Sequence, residues 1–183
     1  MKSASKKEII MDTAESLFYQ HGFHAVGVKS ILDQVGVAPM TMYYHFQSKE
    51  ILTQEILKRR GERYIQFLDE KINRENSLTT YVDSLIKAHM DWLKNDGFNG
   101  CLFLRAKQEY EGINEEIAAI SKGHKQRMLN TMEKDVQLFG ASSTVGKQLF
   151  MILEGITSAA QISSLEEVEE TAGILAKNLY TDM

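Results

Sequence analysis

Ile31-Leu-Asp-Gln-Val-Gly-Val-Ala-Pro-Met-Thr-Met-Tyr-Tyr-His-Phe-Gln-Ser-Lys-Glu-Ile-Leu52 is the stretch on which the fold turns. Val28, Ile31, Leu32 and Val35 form one apolar stripe of a short helix over 28–35, closed by Gly36. Val37-Ala38-Pro39 then makes a tight connection, and Pro39 suits the first turn of a third helix, where a missing N–H costs nothing. That helix runs only to about Phe46. A helix of two turns is not stable alone, so packing must hold it, with Val37, Met42 and Phe46 facing inward. Its other face presents Met40, Thr41, Tyr43, Tyr44 and His45. Hydroxyls and an imidazole on a short, firmly held helix suit insertion into the DNA major groove.

Working outward, helical spacing continues in both directions. Ile10, Ala14, Leu17 and Phe18 share one face of a helix over 6–21 that stops at Gly22. Ser48 reads as the N-cap of a long helix over 49–73, and Ser77 as the cap of the next. Further helices are expected over 101–110, 113–139, 143–162 and 166–180, separated by the turn cluster 95–100, by Gly112 and by the run starting at Gly140. No convincing strand is found, and the single proline, Pro39, leaves long helices unbroken. The expectation is an all-α protein of about nine helices. Residues 1–48 would form a three-helix helix-turn-helix domain and residues 49–183 a larger helical domain.

Composition narrows the function classes. The 183 residues are 43% hydrophobic and 25% charged, which excludes a disordered chain. The one cysteine, Cys101, excludes an internal disulfide framework. No signal-peptide pattern and no bilayer-length apolar run is seen, so a cytoplasmic protein without a membrane partner is expected. The net charge of −4 speaks against a nucleic-acid partner until its distribution is read. Residues 1–63 hold 9 Lys plus Arg against 7 Asp plus Glu, and residues 64–183 hold 12 against 18. The acidity belongs to the part that need not touch DNA.

The run Gly-Val-x-x-x-Thr-x-Tyr-x-His-Phe-x-x-Lys-Glu-x-Leu, following a Leu-Phe-x-x-x-Gly-Phe helix end, resembles the TetR family of bacterial transcriptional regulators. The motif-level resemblance covers residues 6–57. It implies that Thr41 and Tyr43 contact DNA, Tyr43 mostly at phosphate, with His45 and Lys49 also at the backbone. It places Lys29 at phosphate across the groove, and Met40 and Tyr44 toward bases. Where members often carry Thr or Ser before helix two, this chain has Gly27, which weakens the cap; Leu32, Val35 and Ala38 replace residues that are commonly smaller or hydroxylated. The resemblance further implies a homodimer on a palindromic operator and a small-molecule effector held in the larger domain. The pocket candidates are His89, Trp92, Phe103, Tyr110, Met128 and Met132, each of which also reads as plain core.

Weaker signals have bland readings. Lys58, Arg59, Arg60 and Arg63 read as a solvated basic face, with added phosphate attraction as the alternative. Cys101 reads as packing, with thiol sensing beside Arg105 or Lys107 as the alternative. Gly140 to Gln148 is no phosphate loop: five residues separate Gly140 from Gly146, and Gln148 follows Lys147 where a hydroxyl is needed. No catalytic constellation, metal set or cofactor motif is found. The expected function is therefore a ligand-released DNA-binding repressor. A helical small-molecule enzyme and a protein-interaction adaptor on the same fold are the alternatives.

Overall fold

A computed structural model describes residues 5–181. They form α1 (Lys6–His21), α2 (Val28–Val35), α3 (Pro39–His45), α4 (Lys49–Asp69), α5 (Leu78–Asp96), α6 (Leu102–Tyr110), α7 (Glu115–Leu138), α8 (Ser143–Ala159) and α9 (Leu165–Thr181). Among the described residues there is no strand. Local chemistry accounts for the helix starts. At α1 the Ser5 hydroxyl accepts from the Glu8 N–H at 3.2 Å, while the Ser5 N–H donates to the Glu8 carboxylate at 2.7 Å, a reciprocal cap. Ser48 accepts from the Ile51 N–H at 3.2 Å and Ser77 from the Thr80 N–H at 3.1 Å. Gly27 caps α2 with no side-chain bond.

The long helix α4 stops at Asp69, short of residue 73, and its C-terminal surroundings show why. The Asn73 side chain accepts from the N–H groups of Glu75 and Asn76, and the Asn73 N–H donates to Ser84. These local bonds offer the backbone an alternative to another helical turn. Arg74 then ties the turn down through Asp69 at 2.8 Å and Asp135 at 2.9 Å.

The chain divides into two compact units. The first takes residues up to Gly61 together with Leu102–Gly123; the second takes Glu62–Cys101 and the chain from His124 onward. In the first, α1, α2 and α3 pack on one another around Ile10, Phe18, Ile31 and Met42, all with no exposed area. Each such side chain contributes about 1.5–3 kcal/mol on burial. In the second, α5, α8 and α9 pack together, and Tyr81, Val82, Leu85, Leu149, Leu153 and Ala176 form the centre of one apolar cluster.

Two sequence features acquire structural roles. Arg59 and Arg60 are not a solvated face. Arg59 pairs with Asp12 and Glu15, each at 2.8 Å, and Arg60 with Glu15 at 2.9 Å while lying 4.8 Å over the Tyr19 ring. They stitch α4 to α1. Gly146 lies where α8 crosses α7: a Cβ there would stand 2.6 Å from the Glu133 Cα, so only glycine allows the crossing.

Candidate nucleic-acid interface

The third helix is held as its spacing implies. Met42 has no exposed area and Phe46 has 1%, while Val37 is half-buried. With those anchors inside, the opposite face is left outside: Met40 is 79% exposed, Tyr44 85% and Tyr43 50%. Large hydrophobic side chains this exposed on a seven-residue helix do nothing for the core. Thr41 and His45 are half-buried at the margin of that face, with the His45 ring 5.0 Å from Tyr44 and 6.3 Å from Phe46. Lys29 is exposed in the first turn of α2. The arrangement can place two phenols, a thioether and a hydroxyl into a groove, with an ammonium group at its edge.

Lys49 is placed differently from the solvent-facing position that a phosphate contact implies. Its ammonium donates to the Phe23 carbonyl at 2.5 Å and lies 5.8 Å over the Phe18 ring. Burial lowers its pKa, with Glu50 and Glu109 opposing that effect.

The six pocket candidates do not share one unit. Phe103 and Tyr110 belong to the first, where Tyr110 packs on Phe23 at 5.7 Å and His24 at 5.0 Å. His89, Trp92, Met128 and Met132 belong to the second. Periodicity could not separate these sets, because both lie on inward faces of helices.

His89 is the centre of a buried polar chain. The Tyr64 hydroxyl lies 2.8 Å from Nδ1, and Nε2 lies 2.9 Å from the Thr157 hydroxyl, which donates onward to the Leu153 carbonyl at 3.1 Å. Since Thr157 spends its proton on Leu153, it accepts from Nε2–H, and Nδ1 accepts from Tyr64. That arrangement belongs to the neutral imidazole, the form that burial favours. Burial, with a smaller contribution from Lys125, pushes the His89 pKa down to about 3. Burial, then Glu154 and Cys101, pushes the Tyr64 phenol well up, so it remains a donor. Trp92 stands edge-on to Tyr64 at 5.2 Å.

Nearby, Lys125 pairs with Glu154 at 2.6 Å and is a cationic neighbour of Cys101. Tyr64, Thr157, Lys125 and Glu154 were not found by sequence reading. Each is an ordinary helical residue in the chain, and only the fold brings them together.

A short anchored helix with a solvent-facing aromatic surface, preceded by a glycine-closed helix, defines a helix-turn-helix protein. Residues 10–56, the stretch that holds α2 and α3, match the family described as bacterial regulatory proteins, tetR family. It is 32% identical over 114 residues to the HTH-type transcriptional regulator UidR of Escherichia coli K12, covering 62% of this chain and 55% of UidR. The match thus spans about half the length of that relative. The HTH-type transcriptional repressor NemR of the same organism is 25% identical over 186 residues, covering 94% of this chain and 92% of NemR. Among solved structures, SCO4454 of Streptomyces coelicolor, a TetR-family transcriptional regulator, superposes with a TM-score of 0.87 at 24% identity, covering 96% of this chain and 94% of that one. That likeness is one of fold. No described helix is long and apolar enough to cross a membrane.

Proposed function

We propose that the protein is a DNA-binding transcriptional regulator, most simply a repressor, that binds a palindromic operator as a homodimer in the cytoplasm and is released by a small molecule. The observation that carries this reading is the outward face of α3, where Met40, Tyr43 and Tyr44 are exposed while Met42 and Phe46 are sealed inside. Thr41 and Tyr43 meet the DNA, Met40 and Tyr44 face base edges, and Lys29 and His45 lie at the phosphate backbone. The names of UidR and NemR support the regulatory role.

Two features of the second unit support the remaining parts. An apolar groove of about 510 Å³ runs between α8 and α9, lined by Met151, Ile152, Gly155, Val168 and Leu175 among others. Met151 is 71% exposed and Leu175 47%, a surface suited to a twofold partner. The effector would be held among His89, Trp92, Met128 and Met132, where a buried imidazole and phenol lie within an apolar cluster. Effector binding releases DNA only to the extent that it favours the unbound arrangement.

Selection of genomic fragments on the full-length protein tests the reading. Enrichment of a palindromic sequence is expected; a pool with no enriched sequence overturns it.

A further inference from the structure

The turn between α1 and α2 is gripped from α6. The Phe23 N–H donates to one oxygen of Glu109 at 3.1 Å, and the His24 N–H donates to the other at 2.7 Å. One carboxylate therefore serves two consecutive amides. The carbonyl of the same Phe23 accepts from the Lys49 ammonium at 2.5 Å, so this residue is held on both sides. Four residues earlier on α6, and so on the same face, Arg105 donates to the Tyr19 carbonyl at 2.9 Å and reaches the Phe18 carbonyl at 3.4 Å. These are carbonyls of the last turn of α1, where a cation is favoured.

The turn itself is shaped for this carboxylate. Gly22 has φ +89, and a Cβ there would lie 2.7 Å from the nearer Glu109 oxygen. Phe23 has no exposed area, so its amide has no ready access to water if Glu109 is removed. Its ring packs on Phe18 at 4.9 Å and on Tyr110, one residue after Glu109, at 5.7 Å.

We propose that Glu109 is a positioning residue for DNA reading: from α6 it sets the turn that leads into α2, and hence the presentation of α2 and α3, with Lys49 as a strut of that turn and not a phosphate contact. This rests on the DNA-binding reading above. Glu109 and Arg105 together tie α6 to that turn and to the last turn of α1 within one unit. Charge-assisted bonds of this kind are stronger than neutral ones.

The test uses the full chain and an operator recovered with the wild-type protein. Operator affinity is measured over a range of salt for wild type, Glu109→Ala, Glu109→Gln and Lys49→Met. Hydrogen exchange at the Phe23 and His24 amides is followed without DNA. Glu109→Ala is expected to weaken binding about tenfold with an unchanged salt slope, and to speed exchange at both amides. Glu109→Gln, which keeps an uncharged acceptor, should fall between, and it carries the test if the alanine variant does not fold. Lys49→Met should weaken binding without changing the slope. Unchanged affinity in both Glu109 variants, or unchanged exchange, overturns the proposal. A slope reduced by about one in Lys49→Met returns that residue to phosphate and overturns its role as strut. A wild-type protein that selects no operator refutes the DNA-binding reading instead, and the exchange data still show whether the turn is held by Glu109.

Discussion

The Tyr64 hydroxyl and His89 Nδ1 lie 2.8 Å apart inside the second unit, and in the neutral ring the phenol is the donor, since the far side of the ring donates to Thr157. The structure therefore stores a neutral histidine. Its folded pKa of about 3 lies below the ordinary value of 6.5. The unfolded chain binds the proton more readily, so stability is fully present above pH 6.5 and is lost as pH falls toward 3, by up to about 1.4 kcal/mol per pH unit. Thermal melts at pH 7.5 and pH 4.5, compared between wild type and His89→Asn, should show the larger acid loss in the wild type. Equal losses would mean that His89 is protonated in the folded protein.

The Glu15 carboxylate bridges Arg59 and Arg60, and Glu15 and Arg60 are each 6% exposed. Replacing it with alanine leaves the Arg60 charge buried without this partner. We expect Glu15→Ala to cost about 3 kcal/mol in denaturant unfolding. A cost below about 1 kcal/mol would rank the cluster with solvent-screened surface pairs.

Gly146 meets the backbone of α7, and a Cβ would stand 2.6 Å from the Glu133 Cα and 2.7 Å from its nitrogen. No side-chain rotation relieves a clash with backbone. Gly146→Ala should therefore destabilise by about 1–3 kcal/mol, although alanine is the better helix former. A variant as stable as wild type would show that α7 and α8 can part without cost.

On the proposed DNA face, Lys29 and Tyr44 separate two kinds of contact. Lys29→Ala should weaken all sequences alike and reduce the salt slope by about 0.9. Tyr44→Ala should leave the slope unchanged and relax preference at one position of the site, by about 1–3 kcal/mol of discrimination. Filter-binding titrations on the selected operator and on single-position variants measure both. The opposite pattern would exchange the two roles.

The short helices were legible because their residues answer to local rules. Met42 and Phe46 fall inward while Met40 and Tyr44 fall outward, as a seven-residue helix with one anchored side requires. Ser48 caps α4 for the same local reason. What could not be read depends on partners far along the chain. Lys49 in the sequence is a cation at a helix start; that it turns to Phe23 follows from a carbonyl 26 residues away. Glu109 serves amides 85 and 86 residues distant. Phe103 and Met128 read alike as inward apolar residues, yet they belong to different units.

The groove between α8 and α9 gives the last prediction. Leu149, Leu153 and Ala176 have no exposed area and belong to the interior of the unit. Met151, Ile174 and Leu175 are 71%, 56% and 47% exposed and form the surface that the proposed dimer would cover. A charge at Leu175 would be desolvated in such an interface but solvated in a monomer. Leu175→Asp should therefore leave the melting of the isolated subunit intact and shift sedimentation from dimer to monomer. Operator binding should fall by more than about tenfold, because one recognition helix then meets DNA without its twin. A Leu175→Asp protein that sediments as a dimer with full operator affinity would place the twofold contact elsewhere.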